Sequence, residues 1–245
     1  MKNFTTRDRL ISLSFFILIW TLGAYAIGEG LILPSPLQVF FSFLSLLGKS
    51  STYTIVLSST LKILLAFSLA IIIGLVLSLL ALYSKTIEAI LVPFILIFKS
   101  VPVAAFTILA LLWIGVEGLS FFIVFIVIIP IIYTNALGGM RSADYRLLEM
   151  AEVHNLSFIK RVKYIYFPAM EGEIGSALAL SIGIAFKSGI AAEVIGRPAG
   201  TIGESLIKSK IYLETGDLFA WVIIILLVSF FFERLVAILY KRLII

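Results

Sequence analysis

Few residues in this chain are of the types that do acid–base, nucleophilic or metal chemistry, and their distribution limits what it does. There is no cysteine, which excludes disulfides, thiolate metal ligands and a cysteine nucleophile. His154 is the only histidine, which excludes a multi-histidine metal site within one chain. Glu88, Glu117, Glu193 and Glu233 fall near the ends of apolar runs, and no helix-spaced carboxylate pair appears among them. Residues 196–203 are glycine-rich but lack the lysine of a phosphate loop. Neither Gly-x-Ser-x-Gly nor His-Glu-x-x-His occurs. The chain reads as neither an enzyme nor an ATPase, and no cofactor site is expected in it.

What remains is charge at unusual depth. Lys99 and Lys187 lie inside or at the edges of runs long enough to cross a bilayer. A charge at the bilayer centre costs about 2.5–3.5 kcal/mol on insertion scales, so such residues face protein or a water-filled path. Lys99 precedes Ser100-Val101-Pro102, and proline removes a helix hydrogen bond. Broken helices within a membrane are tolerated where they line cavities. Lys99, Ser100, Pro102 and Lys187 are therefore the candidate translocation-pathway residues, and such lysines would favour an anionic solute. Lys62 is expected at an interface. Glu193 and Arg197, four residues apart, are the candidate pair of an outer gate.

The other polar feature is the stretch 149–168, EMAEVHNLSFIKRVKYIYFP, set between two apolar runs. Asp144 is placed to cap a helix through Val153, with Leu147, Leu148 and Ala151 on one side and Met150 adjacent. Asn155 tolerates the left-handed conformation that ends helices. Ser157 is placed to cap a second helix, 158–166, and Pro168 marks the restart of the chain into the next apolar run.

The elements that position these residues follow from composition. The chain has 245 residues and is 61% hydrophobic, leaving too little polar surface to cover a soluble domain of that size. Six spans are predicted, at 10–28, 58–83, 91–112, 118–137, 168–190 and 217–239, each able to cross a core of roughly 30 Å. The first is read as a span rather than a cleavable signal because its apolar run is long for one. With the N-terminus in the cytoplasm, Lys2, Arg7, Arg9, Lys85, Arg141, Arg146, Lys160, Arg161, Lys163, Arg234, Lys241 and Arg242 fall inside. Lys49, Arg197, Lys208 and Lys210 fall outside. The positive-inside rule selects this orientation, with both termini cytoplasmic. The net charge of +5 then reports cytoplasmic loops, not nucleic-acid binding. Outside, Ser35 and Pro36 open a short helix whose apolar face, Leu37 to Leu47, lies along the membrane surface. Residues 191–216 read as a polar, turn-rich outer loop. Gly183 and Gly189 permit close helix contact. No tandem repeat and no separate soluble domain is expected, so 1–245 is one transmembrane domain.

The spacing Glu149-Met150-Ala151, three residues, Asn155, nine residues, Ile165-Tyr166-Phe167-Pro168 resembles the EAA loop of ABC importer permeases, EAA-x3-G-x9-I-x-L-P. Met, Asn and Phe replace Ala, Gly and Leu. Other stretches resemble the nitrate/sulfonate/taurine-type permeases of the type I importers. These are Leu33-Pro34-Ser35-Pro36, Ser100-Val101-Pro102 through Leu112-Trp113-Ile114-Gly115, 133–142, Ala192-Glu193-Val194-Ile195-Gly196 and Gly200-Thr201-Ile202-Gly203. Thr107 stands where the family favours proline, and Ile202-Gly203-Glu204 where it favours Leu-Gly-Tyr.

The resemblance implies an all-α integral membrane permease of type I fold, in the inner membrane of a prokaryote, with a cytoplasmic coupling helix at about 141–168. Glu149, Met150, Ala151, Asn155, Leu156 and Pro168 would couple it to cytoplasmic ABC ATPase subunits, which bind the ATP and Mg. A second copy of the chain, an extracytoplasmic solute-binding protein and membrane lipids would be its other partners. The expected solute is a small anion such as a sulfonate, taurine, nitrate or bicarbonate. The alternatives are a vitamin precursor or other neutral or aromatic solute, or an ion-driven secondary transporter.

Overall fold

The computed structural model describes residues 6–244; Lys2 lies outside them. Among these residues every regular element is a helix, in the order α1 (Thr6–Ile27), α2 (Pro36–Leu47), α3 (Ser50–Tyr83), α4 (Lys85–Ser100), α5 (Val103–Ile114), α6 (Leu119–Arg141), α7 (Tyr145–Val153), α8 (Phe158–Arg161), α9 (Phe167–Gly196), α10 (Ile202–Ile211) and α11 (Thr215–Ile244). Five continuous helices are long and apolar enough to cross a membrane: α1, α3, α6, the run Phe158–Gly196 and α11.

The third expected span differs in shape. It is two helices, α4 and α5, meeting at 110° across Val101-Pro102. Proline has no N–H to give and disfavours helical backbone in the residue before it, so Val101 is extended at φ −76°, ψ 129°. The expected break is present, but the segment is a bent pair and not one straight crossing. Span two begins earlier than expected, at Ser50, so α3 is 34 residues long. At 1.5 Å per residue it measures about 51 Å, longer than the hydrocarbon core.

α3, α6 and α9 form the core, with Ile63, Phe67, Ile128, Ile132, Ile182 and Phe186 buried among them. α3 shows why these helices assemble in lipid. Ser59, Ala66, Ala70, Gly74, Ser78 and Ala81 are buried, while Leu57, Leu61, Leu65, Leu69, Ile72, Val76 and Leu80 are exposed. Small residues let backbones approach, and large apolar ones gain nothing by leaving lipid for protein. Gly189 is such an approach: a Cβ there would stand 2.7 Å from Ile63 and 2.9 Å from Val124.

α2 forms as expected, with Ser35 at the N-cap and Pro36 in the first turn. Gln38 completes a capping box by accepting from the Ser35 N–H at 2.9 Å. The outer loop is more ordered than its composition suggested. α9 runs to Gly196 and α10 occupies 202–211, so most of 191–216 is helix. α10 is capped by Thr201, and Glu204 accepts from the Gly200 N–H and from Lys208, both at 2.8 Å. The Lys208 ammonium holds the Glu204 carboxyl below the usual carboxylate range.

Candidate functional site

The segment between α6 and α9 is a hook closed by local hydrogen bonds. Asp144 Oδ1 accepts from the Arg146 N–H at 2.9 Å and starts α7. α7 ends in a double closure: the Asn155 N–H donates to Glu152 O at 2.9 Å and the Leu156 N–H to Ala151 O at 2.8 Å. This is the Schellman pattern, and it requires the left-handed residue that Asn155 supplies at φ 49°. Arg161 Nε donates to Leu156 O at 3.0 Å, which ties the next helix to the turn. Phe158 packs edge-on against Tyr83, anchoring the hook beside the α3–α4 corner.

Two details differ from the sequence reading. Ser157 occupies the N-cap position of α8, but its side chain makes no cap bond. Pro168 does not restart the chain. The helix runs from α8 into α9 through a π-helical turn, Val162–Tyr166, in which the Phe167 N–H reaches back to Val162 O. A proline in the first turn of α9 leaves a carbonyl without its α-helical donor, and one wide turn absorbs the mismatch without breaking the rod.

The predicted coupling residues separate into two groups. Glu149, Met150, Asn155 and Pro168 are exposed and Leu156 is half-buried, whereas Ala151 is fully buried in the chain itself. With Leu148 half-buried, the side of α7 facing the protein is Leu148–Ala151. The outward side carries Leu147, Met150 and Val153, the last 78% exposed. Ala151 therefore seats the helix, and its exposed neighbours are what a partner would touch.

At the opposite end, the expected Glu193–Arg197 pair is not formed. Glu193 is fully buried. Its Oε2 accepts from the Ser59 hydroxyl at 2.9 Å and from the Gly203 N–H at 3.2 Å. Ser59 Oγ in turn accepts from the Ile202 N–H at 3.0 Å. Arg197 is exposed and ends α9 in a left-handed turn at φ 55°, held by its N–H to Glu193 O. The carboxylate was captured by donors from α3 and α10 that sequence spacing does not show. Glu193 thus locks three helices together, and a Cβ on Gly203 would meet Glu193 Cβ at 2.3 Å.

The pathway candidates occupy two places. Lys99 is exposed on α4 and donates to Thr134 Oγ1 of α6 at 3.3 Å. Ser100 bonds back to Leu96 O, and Pro102 opens α5. Lys187 is exposed on α9, apart from that group. Glu233 is not at a span end as expected. Its carboxylate fills the space beside Gly183, near the middle of α9. Gly183 therefore admits a side chain rather than a neighbouring backbone. Lys62 pairs with Glu117 at 3.2 Å, in keeping with an interfacial place. The sequence reading missed the Glu88–Arg141 ion pair of α4 and α6, whose members lie 53 residues apart and give no local signal.

The family described as binding-protein-dependent transport system inner membrane component matches residues 70–245. The chain belongs to this family. It is a multi-pass inner-membrane permease subunit of an ABC importer, and the transport components of such systems include an ATPase and a binding protein. A protein named as an aliphatic sulfonates transport permease, SsuC of Bacillus subtilis, is 27% identical over 245 residues, covering 99% of this chain and 88% of its own. The taurine transport system permease protein TauC of Escherichia coli is 25% identical, with 91% of this chain and 83% of its own covered. The formylaminopyrimidine transport permease protein ThiX of Halalkalibacterium halodurans is 24% identical, with 81% and 80% covered.

Proposed function

We propose that this permease carries a small organic anion, of the aliphatic sulfonate or taurine kind, inward across the membrane as a homodimer. Two cytoplasmic ATPase subunits, which hold the ATP and Mg, seat on α7, and a solute-binding protein delivers solute outside. Both termini lie in the cytoplasm. The observation that carries this reading is the hook: a capped helix with a buried Ala151 side and an exposed Leu147–Met150–Val153 side. Closure of the ATPases would move α7 as a rigid body. The π-helical turn would pass that motion to α9, which packs most extensively against α6. The ATPase thereby biases a membrane element with two arrangements. The relatives named for sulfonates and taurine support an anion, and Lys99 and Lys187 agree with it. The relative named for formylaminopyrimidine supports a second reading, a neutral heterocyclic solute.

The test is purification of the chain from its own membranes in mild detergent, after crosslinking through Met150→Cys, which is the only thiol in an otherwise cysteine-free chain. Recovery of a phosphate-loop ATPase attached at that position is expected. An intact, folded permease that captures no ATPase at that position would overturn α7 as the seat of the ATPase.

A further inference from the structure

Between α4 and α6 lies a groove of about 290 Å³. Its polar lining is Glu88, Lys99, Tyr133, Thr134 and Arg141, and Ile95 and Leu137 are among its apolar walls. Three features mark it as more than a gap between helices. Arg141 is spent on Glu88, with which it forms an ion pair. Lys99 is held by Thr134 Oγ1, which gives its own hydrogen to Pro130 O at 2.7 Å and so acts toward Lys99 only as an acceptor. Two N–H groups of the Lys99 ammonium remain without a partner among the described residues. Tyr133 is 3% exposed, and its hydroxyl has no hydrogen-bond partner there either. A buried phenol left without a partner is costly unless something else meets it.

The geometry points to this groove as a solute subsite for a small monoanion with a short apolar body. The charge count is two cations, Lys99 and Arg141, less one carboxylate, Glu88, or +1. The free charge sits at Lys99, at the end of α4 beside the Val101-Pro102 break. The anionic group meets Lys99, the Tyr133 hydroxyl is the second donor, and the Glu88–Arg141 pair bounds the groove at the start of α4 and the end of α6. The volume equals roughly ten water molecules at about 30 Å³ each, and the walls are largely apolar. An alkyl chain of a few carbons fits these walls better than a bare inorganic ion. The role in transport rests on the importer reading, whereas the anion preference of the groove stands without it.

The test needs no ATPase and no natural solute. Because the chain has no cysteine, Leu96→Cys places a single thiol on the groove wall with Lys99, Tyr133 and Thr134 intact. Membranes holding the full chain are treated with the anionic sulfonatoethyl or the cationic trimethylammonioethyl methanethiosulfonate. The thiolate attacks the sulfenyl sulfur, forms a mixed disulfide and expels methanesulfinate. We expect the anionic reagent to be favoured by at least about tenfold over its ratio at a free thiol, since a charged cleft concentrates its counter-ion. Lys99→Gln should abolish the preference, and Glu88→Gln should increase it by releasing Arg141. No reaction with either reagent, no preference, or a preference that survives Lys99→Gln overturns the subsite. An anionic rate untouched by Tyr133→Phe overturns the assignment of the hydroxyl. If Leu96→Cys does not fold, Val92→Cys on the same wall gives the same readings. Failure to recover an ATPase at Met150→Cys would sink the coupling reading of α7 and leave these outcomes unaffected.

Discussion

The hook and the outer knot are both held by a handful of hydrogen bonds, yet they are built in opposite ways. In the hook every bond that shapes α7 joins residues two to five apart, from Asp144–Arg146 to Ala151–Leu156. In the knot the decisive bonds span 134 residues between Ser59 and Glu193 and 143 between Ser59 and Ile202. The hook presents Leu147, Met150 and Val153 outward, and the knot of Ser59, Glu193 and Gly203 buries a carboxylate. A segment that engages another protein through its surface is free to be shaped locally. A junction that keeps two membrane helices, α3 and α9, in register with the outer helix α10 needs partners from all three. Damage to the knot should therefore appear as lost stability, and damage to the hook as lost coupling.

The largest effect is expected at Gly203. A Cβ there meets Glu193 Cβ at 2.3 Å and Val194 N at 2.5 Å, so the obstruction includes backbone and cannot swing aside. Gly203→Val should cost more than about 3 kcal/mol and leave little monodisperse permease after detergent extraction. A wild-type melting profile for this variant would show that α10 does not approach α9 so closely. Next is Ser59→Ala, which strips a donor from Glu193 and an acceptor from the Ile202 N–H at once. It should cost about 2 kcal/mol, because two buried groups lose a partner. Combined with Glu193→Gln, the loss should fall short of the sum of the singles, since both changes break one network. Strict additivity of the three melting temperatures would mean the knot is not one unit.

The same contrast governs how much could be read in the sequence. Asp144 as a cap, Asn155 in the left-handed region, the break at Pro102 and the Ser35–Pro36 helix start all depend on residues within a turn of one another, and all are present. Glu193 and Arg197 also have the right spacing, but spacing describes one helix and Ser59 lies on another. Glu233 was misplaced for a like reason. Its distance along the chain puts it near a span end, but its neighbour Gly183 sits on a helix whose register the sequence does not give. Ala151 belongs to the motif, yet the motif is silent on whether its methyl faces the ATPase or the permease. Only burial decides that.

Ala151 and Met150 sharpen the contrast inside the hook. Ala151→Arg and Met150→Arg both place a cation on α7, one on its seated side and one on its open side. Both should reduce ATP-driven uptake in proteoliposomes at least about tenfold, the order of effect that a lost central anchor has at an interface. Only Ala151→Arg should speed proteolysis within 144–157, because only it unseats the helix. Equal protease resistance in the two would mean that Ala151 faces outward after all.

The smallest and cleanest change is at Asn155. Its φ of 49° is one that glycine adopts freely, asparagine tolerates, β-branched residues resist and proline cannot reach. Asn155→Gly should keep the Schellman closure and leave transport within about twofold of the parent, since no contact is lost and the change in strain is below about 0.5 kcal/mol. Asn155→Val should cost about 1–2 kcal/mol locally and weaken coupling. Asn155→Pro should abolish both turn bonds and uncouple transport, while dimers still form on native gels. None of the three should move the melting temperature of the helical bundle by more than a degree or two, because no buried bond outside the hook involves Asn155. The order Gly, Val, Pro in uptake, set against a flat series in melting temperature, is what distinguishes a coupling element from a stabilising one. If melting temperature instead fell in step with uptake, the hook would be part of the bundle's own core, and the separation between the two ends of the molecule would fail.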